Sequence, residues 1–356
     1  MKIQLILLLL GTSLSSAQIK HSFLIGDEGR DKLTFVDEND SSRYWTVATP
    51  ASARDMQLIG NNRVLLSIAE GYQEYDLDKG VRKKNVTGFS DIISARRLPN
   101  GNTLIATETS PVKIIELNAA DKEIHRITFA TTASLHLFRQ TVKGTFLLAC
   151  DTKILECDST GKVIWQSSPP GASHLYKGVR LADGNTVVST GFGNSIQILD
   201  ATGKSIKTIR ANTAPEAIRN NFYADYQLLT NGHYLVTNWQ DHADLGYQGI
   251  QLMELDDTGK ILWYWKKPNL MGSLHQIILM DDVDPTLLHD EREGFMVAVK
   301  PPVGIRISAP LRSSLHFNPI VRLVNDGGRI SVLRQAAVGE GPEIFGIHGA
   351  LSHAGN

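Results

Sequence analysis

The chain has 356 residues, with 36 Lys and Arg against 37 Asp and Glu, for a formal net charge of −1 at pH 7. That balance excludes the basic footprint of a nucleic-acid binder. The length exceeds an average domain, but a closed array of repeats can hold it as one unit.

The first seventeen residues read as a secretory signal: Lys2, then the apolar run Ile3 to Leu10, then the small-residue site Ser15-Ser16-Ala17. The mature chain is expected to begin near Gln18, and the absence of a cysteine after the apolar run argues against a lipid anchor. No later stretch is apolar enough to span a bilayer, so a secreted or periplasmic location without a membrane span is predicted.

From Ser22 onward the chain repeats. Turn residues recur at Asn61-Asn62, Asn100-Gly101, Lys143-Gly144, Asp183-Gly184 and Asn231-Gly232. A second series falls at Asp40, Gly80, Asp121, Gly161, Gly203 and Gly259, with a spacing of about forty residues until the insert at 238–249 lengthens the last gap. Asn221 to Pro268 shows the unit most fully: four strand-like runs, with Asn231-Gly232 and Thr258-Gly259 closing tight turns. Four short strands per forty residues predict an all-β propeller.

Sorting the strands sets the blade count. Ser22 to Ala48 supplies three, five sets of four begin near Arg54, Ile92, Leu135, Leu175 and Tyr223, and one strand remains from Ser273. Docked beside the N-terminal three, that strand completes a sixth four-stranded antiparallel blade and removes the open edges of the array. The expected organisation is a signal peptide over 1–17, a propeller over 18–300, and a loosely structured or disordered extension over 301–356. Cys150 and Cys157 flank a predicted hairpin turn at Asp151-Thr152. A stagger of about four residues at roughly 3.3 Å each puts them beyond disulfide reach.

Several units resemble PQQ-like and WD40-type propeller repeats, on the strength of Asp158-Ser-Thr-Gly-Lys-Val-Ile-Trp165, Asp200-Ala-Thr-Gly-Lys204 and Asp257-Thr-Gly-Lys-Ile-Leu-Trp263. The resemblance covers most of residues 20 to 285 at repeat level. It implies blade architecture, and a quinone-dependent enzyme as a third functional reading; no cofactor is otherwise indicated.

In a propeller the first strand of each blade lines the central channel, and strand starts converge on the face carrying the loops between second and third strands, the top face. Ligand sites form where such elements meet. The geometry nominates His275, His136, Tyr223, Asp225 and Lys177 as catalytic candidates, and Trp239, His242, His174, Arg96 and Asp55 as ligand-binding residues. Trp239 opens the longest insert, and an indole beside amide and acid groups suits stacking on a sugar ring. The histidines carry no metal-ligand spacing signature, and Asp27, Glu70, Glu108 and Asp151 form no committed cation set. The predicted function is binding of a small polar or carbohydrate-like ligand at the top-face channel mouth; whether the protein acts on that ligand is left open, and if it is an enzyme, histidine and tyrosine are its acid and base. A protein-interaction scaffold is the alternative.

Overall fold

The repeats fold as strands because their β-branched and aliphatic runs are cut by turns that few other residues could make. Asp158 Oδ1 accepts hydrogen bonds from the backbone N of Thr160 at 2.8 Å and of Lys162 at 3.1 Å, and from the Thr160 hydroxyl at 2.6 Å. Asp200 makes the same turn. In the next blade Asp256, three residues before Gly259 as Asp158 is before Gly161, is the capping carboxylate, rather than the Asp257 that opens the sequence motif. Gly259 in that turn has φ +86°, and a Cβ there would lie 1.9 Å from the Arg210 carbonyl oxygen, so only glycine fits.

The structure is a computed structural model. It describes residues 19–130, 134–212, 222–241, 248–281 and 283–299, and three strands beyond them. Six four-stranded antiparallel sheets form a propeller. Blade 1 comprises Met56–Gly60, Arg63–Ile68, Gly71–Asp76 and Arg82–Val86. Blade 2 comprises Ile92–Arg97, Thr103–Thr107, Val112–Leu117 and Glu123–Phe129. Blade 3 runs Leu135–Gln140, Phe146–Cys150, Lys153–Cys157 and Val163–Ser167. Blade 4 runs Lys177–Arg180, Thr186–Ser189, Ile196–Leu199 and Ser205–Ile209, and blade 5 Phe222–Leu228, Tyr234–Trp239, Leu252–Leu255 and Ile261–Trp265.

The closing blade joins both parts of the chain. Leu274–Leu279 is its innermost strand and pairs antiparallel with Ser22–Asp27, with Phe23 opposite Leu279 and Ile25 opposite Ile277. Lys32–Asp37 and Trp45–Ala48 complete it. Each seam between neighbouring blades holds its own apolar cluster. At one seam of the closing blade, Phe23 and Ile25 meet Leu252, Trp263 and Trp265 of blade 5; at the other, Leu24 and Ile278 meet Met56, Leu58 and Val64 of blade 1. Fully burying one such side chain stabilises by about 1.5–3 kcal/mol, so the seams hold the ring together.

Cys150 pairs with Lys153 across its hairpin while Cys157 pairs with Phe146, so the two thiols are offset along the strands and remain free. Burial pushes their pKa values up to about 12 and about 11, which keeps them protonated and unreactive.

After the closing strand the chain crosses the bottom face, where the turns between first and second strands lie. Backbone N–H groups of Asn61 and Asn62 donate to the carbonyls of Thr286 and Pro285, and Leu288 bridges Ile59 of blade 1. Phe295 then bridges Leu228 of blade 5. Residues 283–299 therefore strap the lower end of the channel from one blade to another. The chain divides into two compact units, Met1–Val303 and Gly304–Asn356. Within the second, Val321–Asp326, Arg329–Arg334 and Glu343–Gly346 form a three-stranded antiparallel sheet. Among the described residues no helix is long and apolar enough to cross a membrane.

Candidate functional site

The inner strands carry two layers of polar side chains. The lower layer is a buried ion network: the carboxylates of Asp55, Asp225, Asp290 and Glu291 interleave with Arg96, Arg139, Lys177 and Arg292. Arg139 reaches Asp55 at 3.1 Å and Glu291 at 2.8 Å, while Lys177 Nζ reaches Asp225 at 2.8 Å and Glu291 at 2.5 Å. Arg96 pairs with Asp290 at 3.2 Å, and Arg292 with the other Asp290 oxygen at 2.8 Å. Ser94 donates to Asp55. Burial opposes ionisation of Glu291, but Lys177, Arg139 and Arg96 bring its pKa down to about 2. Asp225, which shares Lys177 with it, is raised by burial and by the Glu291 charge.

Three of the eight members of this network, Asp290, Glu291 and Arg292, come from the bottom strap. Asp55, Arg96, Lys177 and Asp225 thus do not open onto the top-face mouth; they are matched to a segment whose sequence shows no repeat. With each charge paired, the layer is suited to holding blades and strap together. Tyr223 is placed elsewhere again: it is fully buried in the seam between blades 4 and 5, and its hydroxyl accepts from Ala211 N at 3.1 Å. The cause is a bulge between Tyr223 and Tyr226, which breaks the strict alternation of side chains.

The upper layer is aromatic. His275 is buried with its ring stacked between Tyr176 and Trp239, centroids 5.3 Å away on each side at interplanar angles of 7° and 15°. His136 lies 5.4 Å from the Tyr176 ring and 5.7 Å from His174. Phe222 packs edge-on against Tyr176 and Trp239. Phe192 packs edge-on on Phe222 and His174 while remaining 43% exposed, so an aromatic edge and the exposed His174 imidazole meet solvent at the mouth. Two backbone features set this corner. His174 has φ +56°, and Gly191 has φ +61° with no room for a Cβ, which would sit 2.3 Å from the Ser173 and His174 carbonyl oxygens.

Charge enters the upper layer from Arg54 and Glu28. Arg54 Nη1 donates to His275 Nδ1, and Nη2 pairs with Glu28 at 2.8 Å. Trp239 Nε1 donates to Glu28 at 2.7 Å, and His275 covers one indole face, so that face is no open platform for a sugar ring. An Nδ1 that accepts from a guanidinium leaves the neutral His275 proton on Nε2. His136 is the counterpart. One of its nitrogens bonds the Leu175 backbone, while Nδ1 is buried without a partner among the described residues. Burial, the neighbouring His174 and the Arg54 charge lower its pKa to about 4, so it is neutral at pH 7. Burial also raises the Glu108 carboxyl, against the opposing charge of Arg54, and raises the Tyr176 hydroxyl well above its ordinary range.

Of the nominated residues, His136, His174, Trp239 and His275 come together. His242 lies outside the described residues. Sequence reasoning missed Tyr176, Phe192, Phe222 and the role of Arg54, which are apolar or adjacent to nominated positions; only their ring contacts reveal them. It also missed Arg139 and Glu291. Among the described residues no group of three or more His, Cys, Asp or Glu side chains is placed to hold a metal ion.

Residues 148–295 match the family model of the arylsulfotransferases (ASST). The match covers under half of the chain, but it contains His174, Tyr176, Phe192, Phe222, Trp239 and His275, with the strap through Phe295. No curated protein matches the chain. Among solved structures, a protein of unknown function from Bacteroides caccae aligns over 73% of this chain and 99% of its own, at 21% identity and a TM-score of 0.63, which shows the fold. The WD40 propeller domain of Doa1 aligns at 11% identity over 80% and 89% of the two chains, with a TM-score of 0.46. Virginiamycin B lyase from Staphylococcus aureus aligns at 12% identity over 84% and 85%, with a TM-score of 0.43.

Proposed function

We propose that the top-face mouth is the active site of an exported enzyme that transfers a sulfuryl group from an aryl sulfate to an acceptor hydroxyl. The observation that carries this reading is the arylsulfotransferase match, whose span supplies most of the aromatic layer. The geometry then assigns roles. Phe192, Phe222 and the His174 ring offer edges against which an aryl group packs. Arg54 supplies positive charge for the sulfonate oxygens, whose charge shifts toward the leaving oxygen as the S–O bond breaks. His136, neutral and with an unpaired buried Nδ1, is the base.

The acceptor oxygen attacks sulfur and gives its proton to His136 Nδ1. The bond from sulfur to the aryl oxygen breaks, the phenolate leaves with the electron pair, and it takes a proton back from the imidazolium. Atoms and charge balance without a cofactor. A buried base held at a pKa of about 4 is weak in the ground state but gains strength as negative charge builds beside it. The aromatic mouth favours an aryl group over the carbohydrate-like ligand expected from Trp239 and its polar neighbours, and the segment 1–17 supports export.

Purified chain lacking residues 1–17 is incubated with p-nitrophenyl sulfate, with and without phenol. Nitrophenolate release that depends on phenol, with phenyl sulfate as the second product, is the expected result. His136→Asn is expected to slow it by about 10²–10⁴. Absence of turnover across a panel of aryl sulfates and phenols would reject the reading, and release independent of acceptor would make the enzyme a hydrolase instead.

A further inference from the structure

Glu28 stands in the short turn Glu28–Arg30 after the first N-terminal strand, distant in sequence from the rest of the upper layer and outside the family match. Its main chain is fixed to the closing strand's approach: Glu28 N donates to the Ser273 carbonyl at 2.9 Å and Gly29 N to the same oxygen at 3.3 Å. Its carboxylate then meets side chains from three other places in the ring. Oε1 takes Arg54 Nη2 from the edge of blade 1 at 2.8 Å; Oε2 takes Trp239 Nε1 from blade 5 at 2.7 Å and lies 3.5 Å from His275 Nδ1 of the closing strand. The side chain is about one-tenth exposed, at 11%. A carboxylate so nearly buried is costly unless charge and hydrogen bonds compensate it.

We infer that Glu28 is a positioning residue for the top-face site, aiming the Arg54 guanidinium and fixing the orientation of the His275 imidazole. The inference rests on the sulfuryl transfer proposed for that mouth. Arg54 must present a face toward the mouth while its other face touches an imidazole it would otherwise repel whenever that ring is protonated. The carboxylate resolves this conflict by balancing the guanidinium on one side. By anchoring Trp239 as well, it holds the ring that stacks on His275. The charged and titratable groups against His275 include Glu28 and Arg54 in direct contact and Tyr176 on one ring face, and Tyr176 in turn feels the charges of Asp225 and Asp55. Glu108 lies beyond Arg54. Ring closure therefore does more than stabilise the propeller: it delivers this carboxylate to the site.

The test compares Glu28→Ala and Glu28→Gln with wild type in the full exported chain by two readouts. With p-nitrophenyl sulfate, Glu28→Ala is expected to lower kcat by about a hundredfold while KM changes little, because a displaced Arg54 costs orientation rather than ground-state binding. Glu28→Gln, which keeps an acceptor for Arg54 and Trp239, is expected to recover part of the loss. Independently of turnover, the His275 imidazole is titrated by NMR, assigned with His275→Gln. Its midpoint is expected to fall by about one unit or more in Glu28→Ala, because the imidazolium then faces Arg54 without the compensating carboxylate. If wild type fails to turn over aryl sulfates but the His275 midpoint moves, the proposed reaction fails and the positioning role stands. If folded Glu28→Ala keeps both the wild-type midpoint and the wild-type kcat, the inference is overturned. Should Glu28→Ala not fold, the same two readouts on Glu28→Gln decide it.

Discussion

At the lower end of the channel, four carboxylates meet four cations, and a strap crosses beneath them from blade 1 to blade 5. At the upper end, a neutral imidazole on the inner strand of blade 3 keeps an unpaired nitrogen and an exposed phenyl edge from a blade 4 loop faces solvent. The lower layer has spent its charges on one another, so removing a member such as Glu291 leaves buried groups short of a partner. The upper layer holds polar groups that packing alone does not require. The same repeat thus makes a lower end whose charges are paired off and an upper end that the proposed function makes reactive, and the difference lies partly in what reaches the channel from outside the repeat: Glu291 from the strap below, Glu28 from the ring closure above.

The comparison breaks most readily at Glu291. Its replacement by alanine leaves Arg139 and Lys177 each short of a carboxylate in a fully buried setting, which is expected to cost about 3–5 kcal/mol. The denaturation midpoint in urea or on heating is the measurement. A loss under about 1 kcal/mol would mean that the strap is not integral to the ring.

A smaller effect is expected from pH at the same end. His21 bridges the Glu254 carboxylate at 2.9 Å and that of Asp281 at 2.6 Å, and His233 binds the other Glu254 oxygen at 2.5 Å. Burial alone would lower the His21 pKa, but the two carboxylates raise it to about 9. The folded value lies above the unfolded one near 6.5, so the stabilisation is fully present below pH 6.5 and is lost as pH rises toward 9. The shift corresponds to about 3 kcal/mol. Urea midpoints between pH 6 and 10 should fall across that window in wild type and not in His21→Gln; a flat wild-type profile would show that the clasp contributes nothing.

How much of this was legible in the sequence follows from what each level depends on. Blade count and closure were readable, because turn spacing and the strand left over at Ser273 are properties of the chain itself; Leu274–Leu279 pairs with Ser22–Asp27 as the count requires. The site was half readable. Ring geometry brought His136, His174, Trp239 and His275 to one end, but inner strands carry bulges between Ile92 and Ser94, Leu135 and Phe138, and Tyr223 and Tyr226. Each bulge breaks the alternation across it, so side chains before and after it do not share the face that their spacing implies, and no turn motif announces it. Tyr223 was misplaced for that reason. Depth was invisible too: Lys177 stands three residues after His174 yet belongs to the other layer. The strap escaped because it follows no repeat, so nothing in its sequence tied Glu291 to Lys177.

The finest separation of the two ends uses one substitution twice. Tyr226 lies in the lower layer, its ring 4.9 Å from Lys177 Nζ and its buried hydroxyl donating to the Val187 carbonyl at 2.8 Å. Tyr176 lies in the upper layer, where its hydroxyl makes a long 3.4 Å contact with the Arg54 carbonyl and its ring stacks on His275. Tyr226→Phe removes a well-formed buried hydrogen bond and is expected to cost about 1 kcal/mol or more. Tyr176→Phe keeps the stack and gives up only a weak contact, so a change within about 0.5 kcal/mol is expected. Chemical denaturation of both variants, run side by side, reads the difference directly. Equal losses would mean that the upper layer is as tightly satisfied as the lower, and the division into a structural and a reactive end would not hold.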